Sequence, residues 1–139
     1  MSATGNPDES VKAFDPRKNH LFIVGIDKYE HATNLENCVS DAEGFKDVLL
    51  EKYQFDETRV TTIYDGEATK EGIISGLMEL SADLSPKDNL IIFFSGHGYY
   101  HKKRCGLFLR LGGRQSILVR TITEYFPNLY YVKSTLPLV

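Results

Sequence analysis

Five consecutive apolar residues, Leu90–Phe94, run straight into Ser95-Gly96-His97-Gly98. A short unbroken apolar run closed by glycines has the pattern of a buried strand in a parallel sheet, which restricts the chain to α/β architectures. In open α/β sheets ligands sit beyond the carboxyl ends of such strands. His97 falls at that end, flanked by two residues with no side chain to block approach. A histidine there can take or give a proton near neutrality. Residue types alone leave a second reading open, a surface-loop histidine whose glycines only make the turn.

Upstream of this strand the pattern alternates. His20–Gly25 (HLFIVG) predicts a buried first strand and Ile26–Asn37 a polar loop. Ser40 with Glu43 three residues later forms a capping-box pattern, with a start one turn earlier, near Asn37, also open. Val39, Ala42, Phe45, Val48 and Leu49 then follow helical spacing. Arg59–Tyr64 (RVTTIY) is β-branched and alternating, closed by Asp65-Gly66. Thr69 is placed to cap a second helix whose Ile73, Ile74, Leu77, Leu80 and Leu84 mark one face. Gly72 and Gly76 weaken that helix by roughly 1 kcal/mol each relative to alanine. Strand, helix, strand, helix, strand is the order of a right-handed doubly wound α/β sheet. Beyond His97 the pattern weakens. Leu107–Leu111 is expected as a strand, half of a hairpin, Thr121–Tyr125 as a short helix, and Tyr130–Val139 as a final strand in which Pro137 is awkward. Residues 1–18, with Pro7 and Pro16, are expected as a flexible leader, and 19–139 as one domain.

Composition removes several classes of function. No apolar run approaches the length of a membrane span, and the polar, acidic start MSATGNPDES has the wrong chemistry for a signal peptide. Two cysteines, Cys38 and Cys105, make no disulfide framework, so a reducing, cytoplasmic location is the expectation. Residues 1–100 carry 9 Lys and Arg against 18 Asp and Glu, whereas residues 101–139 carry 7 against the single Glu124. Apart from Lys102-Lys103-Arg104 these basic residues are scattered, and that cluster is expected as a solvated loop rather than a nucleic-acid site. VGIDKYE follows the first strand where a dinucleotide site would need G-x-G-x-x-G, and there is neither a P-loop nor a G-x-S-x-G elbow. His97, His101 and Cys105 recur every four residues, but Gly96, Gly98 and Gly106 argue against the helix that would align them on a metal. No metal site and no cofactor are assigned. A remaining chemistry is a cysteine nucleophile whose proton passes to a histidine on a neighbouring strand end.

The ordered set HLFIVGIDKY, LENCVSDA, VTTIYDGEATKEGI and DNLIIFFSGHGYY resembles the caspase-like cysteine peptidases, above all the metacaspases and their bacterial relatives (peptidase family C14). The likeness covers about residues 20–100, with weaker agreement through Gly106–Leu111. It implies an α/β fold, a caspase-like three-layer sandwich with a mainly parallel sheet, C-terminally incomplete here. It implies His97 as general base of a Cys–His dyad and Gly98 N–H as an oxyanion donor. It implies Cys38, Asp41 and Ser95 as the border of the pocket for the side chain before the scissile bond. An acidic Asp41 there favours arginine or lysine. Asp41 can equally serve as a first-turn carboxylate that stabilises its own helix, and both roles can hold at once. Cys38 is expected as a pocket wall or small core residue. Calcium, used by some metacaspases, is assigned to no residue.

One departure stands out. The family's catalytic cysteine follows the next core strand in a D-x-C-x-S-G-like motif, and in caspases the histidine precedes it by roughly 50 residues. Here that strand is Tyr130–Val139, only 42 residues follow His97, and Cys105 comes too early, in a connection (KKRCGLF). The expectation is therefore a peptidase domain for protein or peptide substrates that carries the histidine without an evident nucleophile. The alternative is an inactive caspase-fold interaction module. A partner or a further C-terminal segment would complete the sheet in either case. Nucleic acid and membrane are not expected as partners.

Overall fold

The computed structural model of the chain describes residues 17–104, 106–112, 115–119, 122 and, as backbone alone, 129–138. The leader expected over 1–18 falls almost wholly outside these residues, as does Cys105. Of the helix expected over Thr121–Tyr125 only Ile122 is described; it is helical and buried.

The elements are β1 (Asn19–Gly25), α1 (Cys38–Lys52), β2 (Val60–Tyr64), α2 (Lys70–Asp83), β3 (Asn89–His101), β4 (Gly106–Arg110), β5 (Ser116–Leu118) and β6 (Leu129–Leu138). They form one mixed sheet in the order β2-β1-β3-β4-β5, with β6 also paired to β3. β1 is parallel to β2 and to β3, in the registers Leu21↔Val60 and Leu21↔Ile91. β6 is also parallel to β3, from Leu90↔Leu129 onward, and since β1 holds the same stretch it takes the opposite edge. The α/β sheet expected from the strand–helix order, and the mainly parallel sandwich that the resemblance implies, agree with the fold observed.

Side chains alternate across the sheet, and each face has its own helix. Phe22, Val24, Leu90, Ile92 and Phe94 pack with Ile73, Leu77 and Leu80 of α2. Leu21, Ile23 and Phe93 pack with Ala42 and Leu49 of α1, and Phe45 stacks on Phe93 at 4.6 Å. Each large apolar side chain so buried contributes about 1.5–3 kcal/mol. Val48, expected on the packed stripe of α1, is instead half exposed. The Thr69 cap forms as expected, its Oγ1 accepting the Gly72 N–H at 3.0 Å. The Ser40–Glu43 capping box does not form. The helix starts at Cys38, Ser40 is exposed, and Glu43 turns outward to accept the Tyr64 hydroxyl and pair with Lys46.

The central strand overturns the loop reading of SGHG. β3 continues through both glycines to His101, then turns back as an antiparallel hairpin with β4 in the register Gly98↔Leu109. Pro137 is accommodated by an irregularity. β6 advances from Thr135 to Leu138 while β3 advances from Gly96 to Gly98, so Leu136 and Pro137 together face His97. Such a bulge is where a strand tolerates proline.

Candidate active site

His97 lies in β3 just beyond the last rung that β3 shares with β1, Gly25↔Ser95. It is 8% exposed, so the surface-loop reading fails: the residue is part of the sheet. Its Nε2 lies 2.8 Å from the Thr33 carbonyl oxygen. A carbonyl only accepts, so Nε2 carries a hydrogen, and in the neutral ring the lone pair then lies on Nδ1. Nδ1 is buried and has no hydrogen-bond partner among the described residues. A neutral imidazole with one nitrogen anchored and the other an unoccupied acceptor is prepared to receive a proton.

The loop between β1 and α1 supplies the anchor, and carboxylates hold that loop. Asp65 adopts a left-handed backbone (φ 46°), a conformation that aspartate tolerates better than most residues. Its Oδ1 accepts the N–H groups of Asp27 at 2.8 Å and Lys28 at 3.1 Å. Asp27 in turn accepts the N–H groups of Cys38 at 2.7 Å and Val39 at 3.3 Å, closing the N-terminus of α1. Within the loop, Asn34 accepts the Tyr29 N–H at 2.7 Å, and the Leu35 N–H reaches the Asp27 carbonyl at 2.8 Å. From β4, Arg110 donates to the His31 carbonyl at 3.4 Å. This bracing fixes where the Thr33 carbonyl meets the imidazole.

Cys38 and Ser95 approach each other at the opening of α1, close enough for the Ser95 hydroxyl to favour the thiolate. The helix approaches the sheet closely there. A Cβ on Gly25 would lie 3.1 Å from the Cys38 carbonyl oxygen and 3.2 Å from Val39 Cα. Burial pushes the Cys38 thiol above its ordinary range, the negative charges of Asp27 and Asp41 add to the effect, and only the Ser95 hydroxyl opposes it. The thiol is therefore held neutral, the wrong state for a nucleophile. Ser95 is buried, while Asp41 is exposed on the first turn of α1 and its N–H donates to the Asn37 carbonyl at 2.8 Å. Gly98 follows His97 in β3, opposite Leu109 on one side and Leu138 on the other. Cys38, Asp41, Ser95, His97 and Gly98 thus gather around the adjoining ends of α1 and β1 and the middle of β3.

Tyr29, Thr33, Asp27 and Asp65 were not identified from sequence. Tyr29 had one signal, a lone aromatic in a polar loop. Thr33 acts through a backbone atom that any residue carries. His97 and His101 are four residues apart on an extended strand, about 13 Å by the rise of such a strand, too far to share a metal. Among the described residues no group of three His, Cys, Asp or Glu side chains is placed to hold a metal ion. No helix of the described residues is long and apolar enough to cross a membrane.

A mixed sheet with α1 on one face and α2 on the other, whose central strand runs through a buried histidine into a hairpin, defines a caspase-like α/β fold. Pro-sf-caspase-1 shares that fold, with a TM-score of 0.69 over 88% of this chain and 52% of that one at 11% identity. A Geobacter sulfurreducens protein of known structure gives 0.67 over 85% and 49% at 18% identity. Residues 19–106 match the family described as metacaspase, peptidase C14 domain, and the chain belongs to that family. It is 31% identical over 108 residues to Metacaspase-1 of Plasmodium falciparum, covering 72% of this chain and 18% of that protein. It is 32% identical over 82 residues to Metacaspase-2 of Arabidopsis thaliana, covering 55% and 20%. The chain therefore spans about a fifth of the length of these curated relatives.

Proposed function

We propose that this domain serves cysteine-type endopeptidase chemistry, with His97 as general base of a Cys–His dyad acting on protein substrates after arginine or lysine. The observation that carries the reading is the state of the imidazole: Nε2–H is committed to Thr33, and Nδ1 is buried and unpartnered. An orphaned buried acceptor costs about 1–3 kcal/mol, a cost that a partner arriving during function would remove.

The partner would be a thiol delivered past the carboxyl end of β6, which runs parallel to β3 and brings Leu138 opposite Gly98. His97 would take the thiol proton on Nδ1, the thiolate would attack the scissile carbonyl, and the imidazolium would return the proton to the leaving amine. The His97 N–H faces Tyr29 on the β4 side. Strand alternation turns the next N–H, that of Gly98, toward the β6 edge, where Gly98 pairs with Leu138, so its role as oxyanion donor would require that rung to open for the substrate. Cys38, Ser95 and Asp41 would border the pocket for the preceding side chain. The neutral thiol and hydroxyl form its wall, and the Asp41 carboxylate pairs with a guanidinium or ammonium.

The test is hydrolysis of peptides with Arg, Lys or Asp before the scissile bond, by this chain and by a form carrying the coding sequence that follows Val139. Turnover of Arg or Lys peptides that disappears in His97→Ala is the expected result. Turnover untouched by His97→Ala would sink the dyad, and preference for Asp would sink the pocket assignment. A downstream sequence without a D-x-C segment, together with no turnover, would identify the inactive interaction module instead.

A further inference from the structure

The hairpin register contains an interrupted rung. Gly98 pairs with Leu109, Tyr99 with Phe108, Tyr100 with Leu107 and His101 with Gly106. One step further, His97 would face Arg110, and in an unbroken ladder the His97 N–H would bond the Arg110 carbonyl. It does not. The His97 N–H donates to the Tyr29 hydroxyl at 2.9 Å, and that hydroxyl donates onward to the Arg110 carbonyl at 3.5 Å. The phenol occupies the place in β3 between its last rung with β1, at Ser95, and its first with β4, at Gly98.

Three further observations show that the insertion is built into the fold. The Tyr29 ring lies against the imidazole, 4.7 Å between centroids and tilted by 58°. A Cβ on Gly96 would stand 2.5 Å from the Tyr29 hydroxyl oxygen, so the glycine before the histidine leaves the space that the hydroxyl fills. Tyr29 is itself buried, with its N–H held by Asn34 in the loop that also presents Thr33.

We propose that Tyr29 is a positioning residue for His97: its hydroxyl, inserted between β3 and β4, holds the histidine backbone and aligns the imidazole with the Thr33 carbonyl, leaving Nδ1 as the acceptor. The proposal rests on the reading of His97 as the base, but its mechanical content does not require turnover. Burial pushes the Tyr29 phenol up to about 12, with Cys38 and Asp27 adding to it, against the His97 N–H and Arg110. The group therefore stays a neutral phenol, able to accept and donate together, throughout the range in which histidine titrates.

The experiment is nuclear magnetic resonance of the nitrogen-15-labelled chain, comparing wild type with Tyr29→Phe. In wild type, the His97 imidazole nitrogen shifts should report the Nε2–H tautomer. In Tyr29→Phe, the tautomer should become mixed, and exchange of the His97 amide should accelerate about tenfold, the equivalent of one net buried hydrogen bond. Should Tyr29→Phe fail to fold, Gly96→Ala gives the same readout, because its methyl displaces the hydroxyl while the tyrosine remains. Unchanged tautomer and amide exchange in the folded variant would overturn the proposal and leave Tyr29 an ordinary core residue. In a form that cleaves peptides, kcat should fall at least tenfold with KM within twofold. Equal loss through KM would count against positioning. If His97→Ala leaves turnover intact while Tyr29→Phe still mixes the tautomer, the dyad fails and the mechanical role of Tyr29 stands.

Discussion

The Asp27 carboxylate caps α1 from eleven residues upstream, with Oδ1 accepting the Cys38 N–H at 2.7 Å and Oδ2 the Val39 N–H at 3.3 Å. The helix's own N-cap residue, Asn37, makes no side-chain cap bond, so Asp27 does the work usually done locally. Its negative charge also faces the positive end of the helix dipole. Asp27→Ala should therefore cost about 1–2 kcal/mol in urea unfolding, the range of a lost cap. Asp27→Asn, which keeps one acceptor, should recover part of that. A variant as stable as wild type would show that the cap contributes nothing.

The two readings of Asp41 predict different outcomes for one substitution. The carboxylate is exposed on the first turn of α1, where interaction with the helix dipole contributes about 0.3–1 kcal/mol. Asp41→Asn should thus lower stability by no more than about 1 kcal/mol. If Asp41 also receives the basic side chain before the scissile bond, kcat/KM for Arg peptides should fall by about 1.5–3 kcal/mol, at least tenfold. A stability loss with unchanged peptide kinetics would leave only the helix role.

Strand and helix positions were legible because apolar runs and helical spacing are local, and both survive into the fold as β1, α1, β2 and α2. The family likeness also lay in local words such as NCVSDA and SGHG. What escaped was tertiary. Glycines around His97 signalled a loop, yet Gly96 is small because the Tyr29 hydroxyl needs the space inside a continuing strand. The Ser40–Glu43 pattern signalled a cap, but a carboxylate from the preceding loop accepts the Cys38 and Val39 N–H groups, the helix begins at Cys38, and Ser40 therefore lies inside it. Thr33 contributes a carbonyl, and no side-chain pattern reveals a carbonyl.

The helical glycines make a paired prediction. Propensity alone favours Gly→Ala in a helix by up to about 1 kcal/mol. Gly44 of α1 has open space around a prospective Cβ, so Gly44→Ala should raise stability by roughly 0.5–1 kcal/mol. At Gly72 of α2 the Cβ would stand 2.5 Å from the Glu67 carbonyl oxygen and 3.2 Å from the Thr69 oxygen that caps the helix. Backbone must move there, so Gly72→Ala should lower stability by about 1–3 kcal/mol despite the propensity gain. Chemical denaturation of the two variants checks the sign of each.

Asp88 ties together the end of the sheet remote from His97, and its contribution should depend on acid. Its Oδ1 accepts the Lys18 N–H at 3.1 Å, while Oδ2 meets the Ser85 N–H and His20 Nε2, each at 3.1 Å. Both His20 and Asp88 are buried. Burial alone would raise the Asp88 carboxyl, but the hydrogen bonds from Ser85, Lys18 and His20 outweigh it and hold the group below its ordinary range. A carboxyl lowered on folding gives stability that is complete above its unfolded pKa, about 3.9, and is lost as pH falls through the lower folded value. Asp88→Asn should therefore cost about 1–3 kcal/mol near neutrality, where charge-assisted hydrogen bonds are lost. The gap between wild type and variant should close as the pH drops below about 4, since protonation makes the native carboxyl resemble the amide. Urea unfolding at several pH values measures it, and a gap that stayed constant into acid would show that ionisation of Asp88 contributes nothing to stability.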